Sequence, residues 1–168
     1  MAQHRGVTVA VAVAFLVLAG GVAFWNGGFG SGGQSLKTRA FYTVDNGKTW
    51  FVDDAEKVTP FDYRGKQAFR VRVFTTDGGK TEFAGYLERY TPEAQKRLAA
   101  AERGDFAAAG MPQGRSVLSL VDELSVSGTE IKKPGEGNPW ILRSNPQLAA
   151  SVLDVRGPNN VPADAVLP

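Results

Sequence analysis

Base-activated serine chemistry, thiol chemistry and His-ligated metal chemistry need side chains that this sequence barely contains. It has one histidine, His4, and no cysteine, so a thiol nucleophile, a thiolate metal site, a disulfide and a lipidated cysteine are all excluded. No Gly-x-Ser-x-Gly or Walker spacing occurs. Carboxylate chemistry is what remains, and it requires two acids facing one substrate in a cleft. Asp53, Asp54 and Asp62 are the candidates for a carboxylate-dependent hydrolase. Asp53-Asp54-Ala55-Glu56 lacks the alternate spacing and turn glycine of a cation loop, so a solvated acidic loop is the plainer reading. A binding or structural role is therefore expected, with no catalytic, cofactor-binding or metal-ligating residue assigned. Tyr42, Trp50, Tyr63, Arg70, Tyr86 and Trp140 are the contact candidates, although core or sheet packing is the plainer reading of each ring.

The elements that must position these residues begin with an apolar run. Gly6 to Trp25 is twenty residues without a charge, which as a helix would span about 30 Å, the thickness of a bilayer core. Arg5 precedes it, Trp25 stands where an interfacial aromatic belongs, and a Gly-rich stretch follows. An uncleaved signal-anchor with the N-terminus in the cytoplasm is expected, which places the rest of the chain in the periplasm or outside the cell. The alternative is a secreted protein with a cleaved signal peptide, since Gly21-Val22-Ala23 offers small residues to a signal peptidase. Nineteen basic residues against 17 acidic give a net charge of +2. That is too small an excess to predict a nucleic-acid partner.

Two segments then read as hairpins. Ala40 to Val52 and Phe69 to Tyr90 are aromatic and β-branched on either side of an Asp-x-Gly turn. Thr43-Val44-Asp45-Asn46-Gly47-Lys48-Thr49-Trp50 aligns with Thr75-Thr76-Asp77-Gly78-Gly79-Lys80-Thr81-Glu82, 32 residues on. Asp45 and Asp77 can accept backbone N–H groups across each turn, and Gly47 and Gly79 supply a positive φ. In the second hairpin, alternation favours Thr75 opposite Thr81, with a five-residue loop from Thr76 to Lys80. That register puts Phe69, Val71, Val73, Phe83 and Leu87 on a buried face and Arg70 across from Tyr86 as an exposed cation–π pair.

The first of these octets resembles the Asp-box of sialidases and related β-propellers, with its Ser/Thr-x-Asp-x-Gly-x-Thr-Trp pattern. The second has Glu82 in place of the tryptophan. The resemblance implies a structural hairpin, carries over no catalytic residue, and adds only an expectation of carbohydrate contact.

After Tyr90, the run Thr91-Pro92-Glu93 reads as a capped helix start, with Ala94, Leu98 and Ala101 in a stripe, a Glu93–Arg97 pair and a stop at Gly104. A second helix is expected from about Ser116 to Leu124. An extended segment follows from Ser127 to Lys133, and Ser144-Asn145-Pro146-Gln147 opens a third helix as a capping box. The fold class is α+β: a small antiparallel sheet of two or more hairpins followed by two or three short helices, preceded by one transmembrane helix. The expected domains are a stub (1–5), an anchor (6–25), a linker (26–35), one exoplasmic domain (36–156) and a disordered tail (157–168). This layout is similar to a group of bacterial proteins with a cytoplasmic stub, a single anchor and one small exoplasmic domain. Phe41 to Phe51, Pro60 to Lys66, Gly85 to Pro92 and Lys132 to Gly135 carry the resemblance, which implies an architecture and no activity. The expected role is a membrane-tethered, non-catalytic domain of the cell envelope, bound to the membrane through residues 6–25, with an envelope protein or glycan as partner and no cofactor.

Overall fold

The computed structural model describes residues 38–168, so the anchor expected at 6–25 lies outside the described residues. Within them, no helix is long and apolar enough to cross a membrane. Among the described residues, eight strands, three α-helices and one short 3-10 helix (Pro158–Asn160) form an α+β fold. The strands are β1 (Arg39–Thr43), β2 (Phe51–Asp54), β3 (Phe61–Tyr63), β4 (Lys66–Thr75), β5 (Glu82–Tyr90), β6 (Thr129–Lys132), β7 (Ile141–Leu142) and β8 (Asp164–Ala165). The helices are α1 (Pro92–Glu102), α2 (Val117–Ser127) and α3 (Pro146–Leu153). The sheet runs β2-β1-β4-β5-β6-β7, with β3 and β8 pairing β4 off this path, and every pairing is antiparallel.

The two hairpins lie edge to edge through β1 and β4, with Tyr42 opposite Arg70. Between them β3 turns into β4 through Arg64 and Gly65, at φ 55° and 79°, the two-residue turn that suits the right-handed twist of a β-ribbon.

The register of the second hairpin differs from the expected one. Thr75 faces Glu82, and the ladder shifts by one residue between Arg72 and Val73, leaving Gly85 without a partner. Thr81 belongs to the turn because its N–H donates 2.9 Å to the Asp77 carboxylate instead of to the ladder. The bulge at Gly85 then resets the alternation. Phe83 consequently leaves the face of Val71, Val73 and Leu87 and comes to lie opposite Phe74, while Arg70 faces Glu88 instead of Tyr86.

One face of the sheet buries Val71, Val73 and Leu87 under Phe41, Trp50, Phe69, Trp140 and Val166. On the other face, Tyr86 and Ile131 pack against Ala149 and Val152 of α3. Helices α1 and α2 form a hairpin with its own cluster of Ala94, Leu98, Ala101, Leu120, Val121 and Leu124, joined to the rest by Val58 and Tyr90.

Thr91 caps α1 by accepting the Ala94 N–H at 3.1 Å, and Gly104 at φ +76° follows its last turn. Arg97 does not pair with Glu93. It reaches across to Glu123 at 2.8 Å and to the Ala109 carbonyl at 3.0 Å, where its planar fork is satisfied on two sides. Ser116 caps α2. Asn145, not Ser144, caps α3, accepting from Leu148 N–H at 3.2 Å. Residues 157–168, expected as a disordered tail, instead strap the sheet. Asp164 and Ala165 pair with Thr75 and Phe74, and the Val166 N–H donates to the Val73 carbonyl at 2.8 Å.

Candidate functional site

The two Thr-x-Asp-x-Gly-x-Thr turns are built alike. In the first, Thr43 Oγ1 donates to Asp45 at 2.8 Å and accepts the Gly47 N–H at 3.0 Å, while the Thr49 N–H donates to Asp45 at 2.9 Å. Thr75, Asp77, Gly79 and Thr81 repeat these bonds at 2.8, 3.0 and 2.9 Å. Burial pushes the Asp45 carboxyl up, but the hydrogen bonds from Thr49, Thr43 and Lys48 outweigh it and hold the group at about 2. Asp77 is also lowered, first by its bond from the Thr81 backbone. Both aspartates organise their own turns.

The first turn docks on the segment that follows β6. Its Asn46 side chain accepts from Lys132 Nζ at 2.6 Å, and its Asn46 carbonyl accepts the Gly135 N–H at 2.9 Å. A Cβ on Gly47 would meet Ala84, Pro134 and Leu87 at 3.1 to 3.3 Å, so close packing as well as φ +88° requires glycine there. Gly79 has open space around it.

Of the six sequence-predicted contact residues, Tyr42 and Tyr86 are buried and the other four are half-buried. Tyr42 is fully buried, with its hydroxyl donating to the Asp54 carbonyl at 2.7 Å, and Tyr86 is buried beneath α3. Tyr63 stacks on Phe51 with centroids 4.0 Å apart, and Trp50 is half-buried over the Val71–Leu87 cluster. Arg70 is not an exposed partner of Tyr86; its guanidinium donates to the Ala55 carbonyl and to the Tyr42 hydroxyl and lies 5.8 Å from the Tyr42 ring. Trp140 is half-buried beside Phe69, with Arg89 4.3 Å and Lys132 5.3 Å from its ring. Lys132 is itself buried, and desolvation lowers its pKa, helped by Arg89.

The three carboxylates are engaged locally. Asp53 pairs with Lys57 at 2.6 Å, Asp54 accepts the Glu56 N–H at 2.9 Å, and Asp62 accepts the Gly65 N–H at 3.3 Å. The most buried carboxylate is Glu88, which binds Arg72 at 3.0 Å and Arg143 at 3.1 Å and joins β4, β5 and the residue after β7. No group of three or more His, Cys, Asp or Glu among the described residues could hold a metal ion.

A concavity of ligand size lies elsewhere, at the tip of the α1–α2 hairpin. A groove of about 600 Å³ is lined mainly by Phe106, Met111, Pro112, Val117 and Leu118, with Gln113 and Arg115, a size within the usual range for small-molecule sites. The connecting loop is folded by local bonds. The Asp105 carboxylate accepts the Ala108 N–H at 3.0 Å, and the Met111 N–H donates to the Phe106 carbonyl at 2.9 Å across Gly110 at φ +67°. Phe106 is left 40% exposed while Met111 is only 9% exposed. Glu123 ties the loop to both helices through Arg97 and through Arg115 at 3.0 Å, and the Arg97 hydrogen bond is the first cause of its lowered carboxyl pKa. None of the groove residues was among the sequence-predicted contacts. The available signal was an aromatic and a methionine inside a Gly- and Pro-punctuated connection, Gly104 to Gly114.

No family model, curated protein or solved structure matches the chain.

Proposed function

We propose that this chain is a membrane-tethered, non-catalytic domain of the cell envelope, anchored through residues 6–25 with its N-terminus in the cytoplasm, and that it acts by binding. The observation that carries the binding reading is the open, apolar groove at the tip of the helical hairpin, which leaves Phe106 exposed. Such a groove suits an apolar group of a partner better than a bare glycan, which would need converging hydrogen-bond donors and acceptors. The engagement of Asp53, Asp54 and Asp62 in their own loops favours binding over the carboxylate-hydrolase alternative.

The test is fractionation of the full chain in a bacterial host, followed by intact-mass measurement. Recovery of uncleaved chain in carbonate-washed membranes is expected. A soluble chain overturns the tether, and a mass lacking the first twenty-odd residues establishes the secreted alternative. An envelope hydrolase activity lost in Asp53→Asn or Asp62→Asn, with the fold intact, overturns the non-catalytic reading.

A further inference from the structure

We propose that the groove takes one acyl chain of a bilayer phospholipid, with the Arg115 guanidinium beside the lipid phosphate. The inference rests on the tethered reading above and gives its binding site a ligand. Phe106, Met111, Pro112, Val117 and Leu118 supply an apolar lining, and Arg115 adds a guanidinium. That side chain keeps 39% of its surface exposed while bound to Glu123, so an anion can approach its outer edge.

Position supports a lipid occupant. The Thr38 carbonyl, at the start of the described chain, accepts the Ala55 N–H at 3.0 Å. Val58, three residues further on, packs against the hairpin cluster, and three residues span at most about 11 Å. The chain therefore leaves the domain close to the base of the hairpin. The groove lies one helix length away, about 16 Å for the eleven residues of α1. Asn26 to Lys37 is a stretch of twelve residues, a length that reaches at most about 42 Å. A domain on that tether meets bilayer lipid at an effective concentration of roughly millimolar or above. A diffusing protein segment has no such advantage.

The absence of cysteine makes the experiment direct, because a single introduced thiol labels one site. The full chain carrying Gln113→Cys, at the groove, is labelled with an environment-sensitive fluorophore and reconstituted into phosphatidylcholine–phosphatidylglycerol vesicles with brominated acyl chains. Lys80→Cys, on the exposed second turn, is the control. It lies at the opposite end of β5 from the hairpin, about 27 Å away along the nine-residue strand. Bromine quenching at least twofold stronger at position 113 than at position 80 is expected, and Phe106→Asp should bring the two together. Equal quenching overturns the proposal. So does shielding of the 113 label that requires envelope protein and is absent in pure lipid, which assigns the groove to a protein partner. Quenching is read before a separate carbonate wash: loss of the chain in the wash overturns the tether, while the quenching ratio alone decides the groove.

Discussion

At the scale of single residues, the two Asp turns provide an internal comparison. Their hydrogen bonds match, yet Asp45 sits in a turn latched by hydrogen bonds to Lys132 and Gly135, whereas the tip beyond Asp77 has open space at Gly78 and Gly79 and the second turn meets the C-terminal strap only at its start, through Thr75 and Thr76. Asp45→Ala removes an ionised acceptor that also preserves the latch and should destabilise the fold by about 1–3 kcal/mol. Asp77→Ala should do measurably less, and thermal unfolding of the two variants side by side checks the order. The pH dependence has a definite sign. The Asp45 carboxyl is held at about 2 in the folded chain, below the roughly 3.9 of an unfolded aspartate. Its contribution is complete above about pH 4 and disappears as pH falls toward 2. Denaturant titrations across that window should show a shallower acid loss in Asp45→Asn than in the parent chain. Both turns could be read from the sequence, because each needs only residues within seven positions of one another. The latch on the first could not, since Lys132 and Gly135 lie over eighty residues from Asn46.

At the scale of elements, the bulge in β5 decides what the long hairpin does with its side chains. Gly85 is the unpaired residue, and a Cβ there would overlap the Phe74 ring and touch Val155 Cγ1 at 3.0 Å. Gly85→Ala should therefore destabilise by about 1–3 kcal/mol, the range for overpacking a well-filled core, measured as a lower denaturation midpoint with unchanged slope. Strict alternation predicted a different pairing because it assumes one residue for one across the ladder, and a bulge breaks that assumption without leaving a composition signal stronger than one glycine. Helix starts were more legible, although the third cap is Asn145 and not the Ser144 expected from its capping box. Thr91, Ser116 and Asn145 each accept a backbone N–H three positions ahead, an interaction contained in four residues. The partner of Arg97 was not, because Glu123 comes from another helix, 26 residues on.

At the scale of the whole molecule, the sheet and the helical hairpin are joined but unequal. The sheet is clamped on both faces and holds the buried Glu88 between two arginines. The hairpin relies on a separate cluster in which four of the nine buried residues are alanine. Native-state hydrogen exchange should find the α1–α2 amides opening at lower free energy than those of β4 and β5; equal protection would show one cooperative unit. An easily opened hairpin is also the part best able to admit a ligand at its tip. The α+β class, the two turns, the helix caps and the lack of His and Cys chemistry follow from the chain alone, since propensity, capping and composition act over a few residues. The register, the ordered C-terminal strap on β4, the burial of Tyr42 and Tyr86 and the groove under Phe106 arise only in the assembled fold. Each depends on which distant surface arrives to cover a side chain, and hydrophobic burial is indifferent to how far apart along the sequence its partners lie.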